Sequence, residues 1–471
     1  MKPRISQRGG PRKRFISSLV LGAACLLGSL SAQAQKTVNL SSNTLVLGSE
    51  VPVFSASDTR AAVQLLQFVD LETVDIGLTG ATVELSGLLT AQLGQAMLVD
   101  GALEHDRVRG NVIVGLFRWH DKKQRVALAV GRQYLYFGAG RAEHLDGLSA
   151  TYHGPFNMDL TVFGGRTRPW QLDYEPEIGT PHPSNDPYAL SNWALGAKLR
   201  FRMLDRGTGS VSFVHEGHGG EVVRQKLNAH LGYWATKTIE GLAGGVFDIV
   251  DKQPQEIWAT VISRPLRRLK LRLDYSYQVP GLAIAKTSLF SVFSTDNYQS
   301  ISAGAHYGVT PRLLAGVEGG VRLYGGDDHG GSSSSHSHVK SVGYQFSGEA
   351  RLRLGAMNNG AIGLRSEFVN AIDQWSLQNR LFSTYRFGSG IYANVDVYLL
   401  LLGADRDAGG SFYEQRINAH PVSFGAVGLC GYRLSKQWSA QLAGSFYVTP
   451  LARKDMRALA RLTYQGSWSK R

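Results

Sequence analysis

Histidine, serine and acidic residues cluster at three places in this 471-residue chain, and their spacing decides what chemistry each can do. Asp327-Asp328-His329, with His336 and His338, has metal-ligand types, but Gly330-Gly331 and Ser332 to Ser335 lie between them. A flexible segment binds metal weakly unless something clamps it, so this stretch reads as a polar loop. His215-Glu216-Gly217-His218 lacks the two histidines four apart on a helix, with glutamate beside the first, that a zinc protease needs. His306, His420 and Ser423 are the parts of a serine hydrolase without a spacing that gathers them. Neither a phosphate-binding glycine loop nor a Gly-x-Ser-x-Gly elbow occurs. The sequence therefore predicts no catalytic residue, no metal site and no cofactor.

What remains is charge placed at every second position. Lys198, Arg200 and Arg202 alternate with Leu199 and Phe201, and Arg351 and Arg353 with Leu352 and Leu354. The fullest statement is 341–354, where Val342, Tyr344, Phe346, Gly348, Ala350, Leu352 and Leu354 oppose Ser341, Gly343, Gln345, Ser347, Glu349, Arg351 and Arg353. Successive strand side chains point to opposite faces, so this is a strand with one apolar and one charged side. A membrane-spanning strand needs only about 9 to 11 residues. Many such strands in an exported chain put lipid on the apolar side and a lumen on the other. The polar faces then offer Lys198, Arg200, Arg202, Lys270, Arg272, Arg322, Arg351, Arg353, Arg365, Arg380, Arg386 and Arg461 as inward groups. Against them stand Glu84, Asp274, Glu318, Glu349, Glu367 and Asp396. Such a basic excess favours anions, because a charged pore concentrates counter-ions. The competing reading leaves many of these groups at the rims, against headgroups or one another.

The bounds agree with an exported barrel. Residues 1–34 read as a signal peptide: Lys2, Arg4, Arg8, Arg12, Lys13 and Arg14 precede the apolar Phe15 to Leu30, and Ala32-Gln33-Ala34 is a cleavage site. The apolar run is too short for a membrane anchor, and Cys25 lacks the leucine three residues earlier that a lipoprotein signal carries. Without those six basic residues the formal charge falls from +13 to +7, so half of the apparent basicity leaves with the signal, and nucleic acid is not an expected partner. Only Cys430 remains of the two cysteines, which excludes an internal disulfide and a thiolate metal cluster. Glycine, at 55 residues, is well above the average of about 7%, as many tight turns require.

Along the chain, 35–78 is polar and irregular and reads as a periplasmic lead-in, with a helix candidate at 58–69. Forty residues are too few for a plug domain, which argues against energised uptake. Alternation then recurs from 79 to 471, with turns at 120–123, 154–155, 205–209, 264–268, 308–312, 357–360, 388–390 and 434–437. Long polar connections are expected at 134–146, 166–191, 280–297, 324–339 and 403–420, the second containing five prolines. The fold class predicted is all-β, a transmembrane antiparallel barrel of roughly 18–20 strands with short periplasmic turns and long extracellular loops. Segments near 209–263 alternate weakly and leave the number open by a hairpin.

Two resemblances extend this. The last strand, Ala458 to Trp468, resembles the C-terminal assembly signal of bacterial outer-membrane barrels, an amphipathic strand ending in an aromatic residue, although Ser469-Lys470-Arg471 follows. That implies the barrel assembly machinery and outer-membrane lipid as partners. Val130-Gly131-Arg132-Gln133, Tyr136-Phe137-Gly138, Arg141 and Asp146-Gly147 resemble the strand end and charged loop of outer-membrane porins of the alginate-export and related groups. The resemblance covers about 35 residues and implies that Arg132, Arg141, Glu143 and Asp146 lie near a constriction. The alternative is that Arg132 and Asp146 pair at a strand end to fix the loop. The expected function is a passive outer-membrane channel of a diderm bacterium for small polar solutes, favouring anions, with room for an oligomer. A lipase- or protease-type barrel enzyme and a structural or adhesive surface barrel are the alternatives.

Overall fold

In a computed structural model of the chain, the described residues are 37–52, 59–75, 79–92, 98–99, 102–103, 108–136, 142–167, 193–203, 206–218, 220–279, 297–324, 342–355, 359–370, 374–388, 390–404, 421–448 and 455–469. They form one closed sheet of 22 strands. In order these are β1 Thr37–Pro52, β2 Thr59–Val74, β3 Ala81–Gln92, β4 Val108–His120, β5 Val126–Tyr136, β6 Ala142–His153, β7 Met158–Thr167 and β8 Trp193–Met203. Next come β9 Gly207–His218, β10 Glu221–Trp234, β11 Ile239–Asp248, β12 Gln253–Leu266, β13 Leu269–Gln278, β14 Tyr298–Gly308 and β15 Leu313–Tyr324. The last seven are β16 Val342–Leu354, β17 Gly360–Asn370, β18 Gln374–Arg386, β19 Ile391–Ala404, β20 Val422–Arg433, β21 Trp438–Val448 and β22 Asp455–Ser469. Each strand pairs antiparallel with the next, and β1 pairs with β22 from Thr37↔Ser469 to Ser49↔Arg457. A two-stranded hairpin, Leu98–Val99 with Ala102–Leu103, lies outside this sheet in the β3–β4 connection.

The closure corrects the reading of 35–78 as a lead-in. Residues 37–52 and 59–74 are wall, and the helix candidate at 58–69 is β2. These two strands raise the count from the expected 18–20 to 22. Their alternation is blurred for a physical reason. Ser42, Thr44 and Gln67 occupy the outward register yet satisfy one another, Gln67 accepting from Thr44 at 2.5 Å and donating to Ser42 at 2.7 Å. Leu45, Leu66 and Phe68 meanwhile occupy the inward register. The weak region at 209–263 is four regular strands, β9 to β12, with Val214, Leu242, Val246 and Trp258 on the inward side. Apolar residues on both faces erase the period.

The other outward rows are as apolar as alternation predicts. Val342, Tyr344 and Phe346 of β16 stand beside Leu323 and Val321 of β15 and Phe368 of β17, and most are strongly exposed because no described residue covers them. That is the surface a hydrocarbon surround requires.

Short connections repeat one device. Thr236, Thr310 and Ser435 each begin a turn, and each hydroxyl accepts the N–H groups two and three residues on, at 2.9 to 3.2 Å. A hydroxyl or carboxylate that bonds nearby backbone stands in for a turn's own hydrogen bond. Asp121 does the same with a carboxylate, accepting from Arg125 at 2.5 Å, Val126 at 2.9 Å and Lys123 at 3.3 Å. The Val126 N–H above all, with those of Arg125 and Lys123, holds the Asp121 carboxyl below the usual carboxylate range. Thr37, where the first strand begins, and Ser469, where the last ends, lie at this short-turn end of the barrel.

Two outcomes follow from these faces and turns. Arg at Gly348 or Ala350, outward and mid-strand, should cost about 2 to 4 kcal/mol of folding in lipid, whereas Arg at the inward Ser347 should cost little. Reversible unfolding in lipid vesicles reads the difference. Asp121→Ala should lower the unfolding midpoint at neutral pH. A depressed folded-state pKa gives stability that is complete above the unfolded carboxylate value and is lost as pH falls through the folded one. Variant and parent should therefore converge as pH falls through the folded-state value, as urea titrations from neutral to acid pH would show.

Candidate functional site: the lumenal face

The pairing register assigns every predicted inward charge a side. Leu195 and Leu199 of β8 share the outward rows of Gly164 and Leu160, so Lys198, Arg200 and Arg202 face the lumen. On β13, Leu271, Leu273 and Tyr275 are outward and Lys270, Arg272 and Asp274 inward. Glu318 and Arg322 of β15, Glu349, Arg351 and Arg353 of β16, and Arg365 and Glu367 of β17 are inward by the same registers. Glu84, Arg380, Arg386, Asp396 and Arg461 join them.

These charges are not uniform around the wall. From β1 to β3 the lumen is acidic and tied into the strands: Asp70 accepts from Ser41 at 3.0 Å and from Ser86, and Glu72 accepts from Asn39 at 2.9 Å. Glu84 is paired with Arg118 at 2.6 Å. Where the barrel closes, Arg461 and Thr463 of β22 both donate to the Asn43 side chain of β1, at 2.8 and 2.9 Å. From β13 to β19 arginines dominate. Three are neutralised by neighbours: Arg272 by Asp274 at 2.7 Å, Arg365 by Glu367 at 2.9 Å and Arg380 by Asp396 at 2.9 Å. Arg380 also lies over the rings of Phe382 and Tyr398, and Arg322 over that of Tyr298. Arg351, Arg353, Arg200 and Arg202 are exposed to the lumen and have no carboxylate partner among the described residues. A cationic excess at such positions is solvated, so it acts on whatever enters.

Sequence reasoning missed several lumenal groups. Glu216 and Arg224 pair at 2.8 Å, and the buried Lys226 donates to Gln255. Their strands lie in the region whose inward face is partly apolar, where alternation gives no signal. Asp70 and Glu72 were hidden by the reading of their segment as a lead-in.

Of the four residues carried over from the porin resemblance, Arg132 and Asp146 take the outward register and Glu143 the inward one. Arg132 stands opposite Asp146 in the row of Val130 and Leu148, each about half exposed on the outer side. The pair is bidentate, Nε to Oδ1 at 2.6 Å and Nη2 to Oδ2 at 3.0 Å. It therefore belongs to the outward register and fastens β5 to β6 within the strands, not at their ends. The expected long loop at 134–146 is largely strand, since β5 runs to Tyr136 and β6 starts at Ala142. Glu143 stands opposite Leu135, and Arg141 lies outside the described residues.

Among the described residues the chemistry candidates do not converge. His215 is in the outward register and Glu216 in the inward one, bonded to Arg224. His306 is on β14 and Ser423 on β20, strands that are not neighbours. His420, Asp327, Asp328, His329, His336 and His338 lie outside the described residues, as do the signal peptide and residues 168–192, 280–296, 325–341 and 405–420. Among the described residues no group of three metal-ligating side chains occurs.

No protein-family model matches the chain, and no curated protein matches it. Among solved structures it is similar to the P pilus usher (PapC) translocation pore, at TM-score 0.45 and 9% identity over 92% of this chain and 100% of that one. Acinetobacter baumannii OccAB4 aligns at 0.41 and 8%, over 93% and 99%. Pseudomonas aeruginosa OccK8 (OprE) aligns at 0.41 and 10%, over 92% and 98%. The closed antiparallel wall, with largely apolar outward rows, is that of an all-β transmembrane barrel.

Single cysteines would check the faces in a Cys430→Ala background. Cysteine at 200, 351 or 365 should react with a charged maleimide in reconstituted protein, and cysteine at 273 or 346 should not. Equal labelling of both sets would reverse the assignment.

Proposed function

We propose that this barrel is a passive outer-membrane channel of a diderm bacterium that admits small polar solutes and prefers anions. The single observation that carries this is the lumenal wall: solvated arginines on β8 and β16 that no neighbouring carboxylate neutralises among the described residues. Every described segment except the hairpin at 98–103 belongs to the wall or its turns. By the rule that short turns face the periplasm, Thr37 and Ser469 lie there and the long connections face outward. The amphipathic β22, paired on both sides, is the strand by which the assembly machinery would recognise the chain. Trp193, Trp438 and Trp468, at strand ends in outward rows, suit the membrane interfaces.

Planar-bilayer recording tests the reading. The purified protein should show steady conductance with a reversal potential on the anion side at low salt. Arg200→Glu with Arg351→Glu should reduce that preference, and it should largely vanish at 1 M salt, where the Debye length is about 3 Å. Asp396→Asn, which leaves Arg380 uncompensated, should move selectivity further toward anions. Cation preference of the unmodified protein at low salt would place these arginines outside the conducting path. Assays with phospholipid and peptide should show no hydrolysis. Turnover lost on replacing one serine or histidine would replace the channel reading with an enzymatic one.

A further inference from the structure

Among the described residues, two neighbouring strands of the closed sheet are joined over only part of their length. β4 pairs with β5 only from His120↔Ala127 to Gly115↔Arg132, although β4 continues to Val108 and β5 to Tyr136. Over that upper half the two edges run on without each other, while β4 stays paired with β3 and β5 with β6. The backbone is distorted where they part. Gly131 has φ 125°, and the β3–β4 register shifts between Ser86 and Gly87, which leaves Ile113 as an extra residue.

Side chains replace the missing ladder. Arg132 Nη1 donates to the Val112 carbonyl at 2.5 Å, and His144 Nε2 is 2.8 Å from the Ile113 carbonyl. Arg132 is held from behind by Asp146, and His144 is stacked on Tyr134 with ring centroids 4.3 Å apart. Bare carbonyls on a strand edge in hydrocarbon are costly, so two side chains meet them. A side-chain bond, unlike a ladder, releases by rotation about a few single bonds.

On the lumenal side of this seam lies a recess of mixed charge, lined by Arg118, Lys198 and Arg200, by Glu84 and Asp159, and by Leu135. Lys198 reaches across it to the Tyr136 carbonyl at 2.7 Å, so a cation stands at the exposed end of β5. Beside it the inward register turns apolar: Leu135 packs against the buried cluster of Leu145, Phe163, Ala194 and Val214. Two cations, Lys198 and Arg200, and the apolar Leu135 thus border the side of β5 on which the strand edges part.

We propose that the β4–β5 seam is a side door in the wall, latched by Arg132 and His144, through which an amphipathic anion with a single acyl chain passes between the lumenal recess and the membrane. Lys198 and Arg200 take the anionic head, and the chain lies along Leu135 toward the seam. A narrow gap between two parted strand edges admits one extended acyl chain more readily than a multi-chain lipid. This path goes beyond the ion channel and rests only on the barrel standing in a membrane. Conductance reads the channel separately, so the two can fail independently.

The test uses octadecanoate carrying a terminal diazirine, added to the full-length barrel in lipid nanodiscs and photolysed. Label is expected on β4 residues 110–114, on β5 residues 133–136 and on the recess. Val112→Cys with Tyr136→Cys, both exposed on the outer side, should abolish the recess label once joined by a short bis-maleimide and leave conductance unchanged. Amide exchange supplies a second reading that does not depend on that variant. Arg132→Ala with His144→Ala should speed exchange at 111–114 and 133–136 relative to β14–β16. Label spread evenly over all outward faces, a recess label indifferent to the bridge, or unchanged exchange in the double alanine variant would each overturn the side door.

Discussion

A backbone in hydrocarbon has no water to turn to, so each of its N–H and C=O groups must find a partner within the protein. For strands the only complete solution is a sheet without edges. Here that solution depends on β1 and β22, thirteen residues of each matched from Thr37↔Ser469 to Ser49↔Arg457. Everything else in the wall follows from it. Once β1 and β22 lie side by side, chain order and antiparallel hairpins place all other strands, and an even number puts the start of the first strand and the end of the last at the short-turn end.

The same constraint explains the two kinds of side chain that serve the backbone. At the turns, Thr236, Thr310, Ser435 and Asp121 accept N–H groups that no ladder reaches. At the β4–β5 seam, Arg132 and His144 meet the carbonyls of Val112 and Ile113. The first device costs little, because water is at hand. The second sits against the apolar surround, where an unmet carbonyl would be expensive, and this accounts for charged residues in an outward row.

Inside, the demands relax. Arg351 and Arg353 on β16 and Arg200 and Arg202 on β8 stand exposed, which a wide aqueous lumen tolerates and a packed core would not. Pairs such as Arg380–Asp396 and Arg365–Glu367 divide the wall into neutral and cationic arcs. The same freedom lets β9 to β12 carry Val214, Leu242 and Val246 inward. Selectivity and local apolar footholds can therefore vary strand by strand without disturbing closure.

Local alternation was enough to determine the fold class, because a lipid-facing strand must repeat every two residues. Val342 to Leu354 shows both faces without any tertiary information. The shared turn pattern of Thr236-Lys237-Thr238-Ile239, Thr310-Pro311-Arg312-Leu313 and Ser435-Lys436-Gln437-Trp438 was also present in the sequence, and it marks a hairpin in the weak region that alternation passes over. Three things were decided only by tertiary structure. Membership of β1 and β2 in the wall rests on pairing with a strand more than four hundred residues away, and their outward polar groups become acceptable only when Thr44, Gln67 and Ser42 meet across strands. The side taken by Arg132 and Asp146 depends on register, since one residue of slip exchanges the faces. Which arginines remain uncompensated depends on what each neighbouring strand places beside them, and no residue's own sequence neighbourhood contains that information.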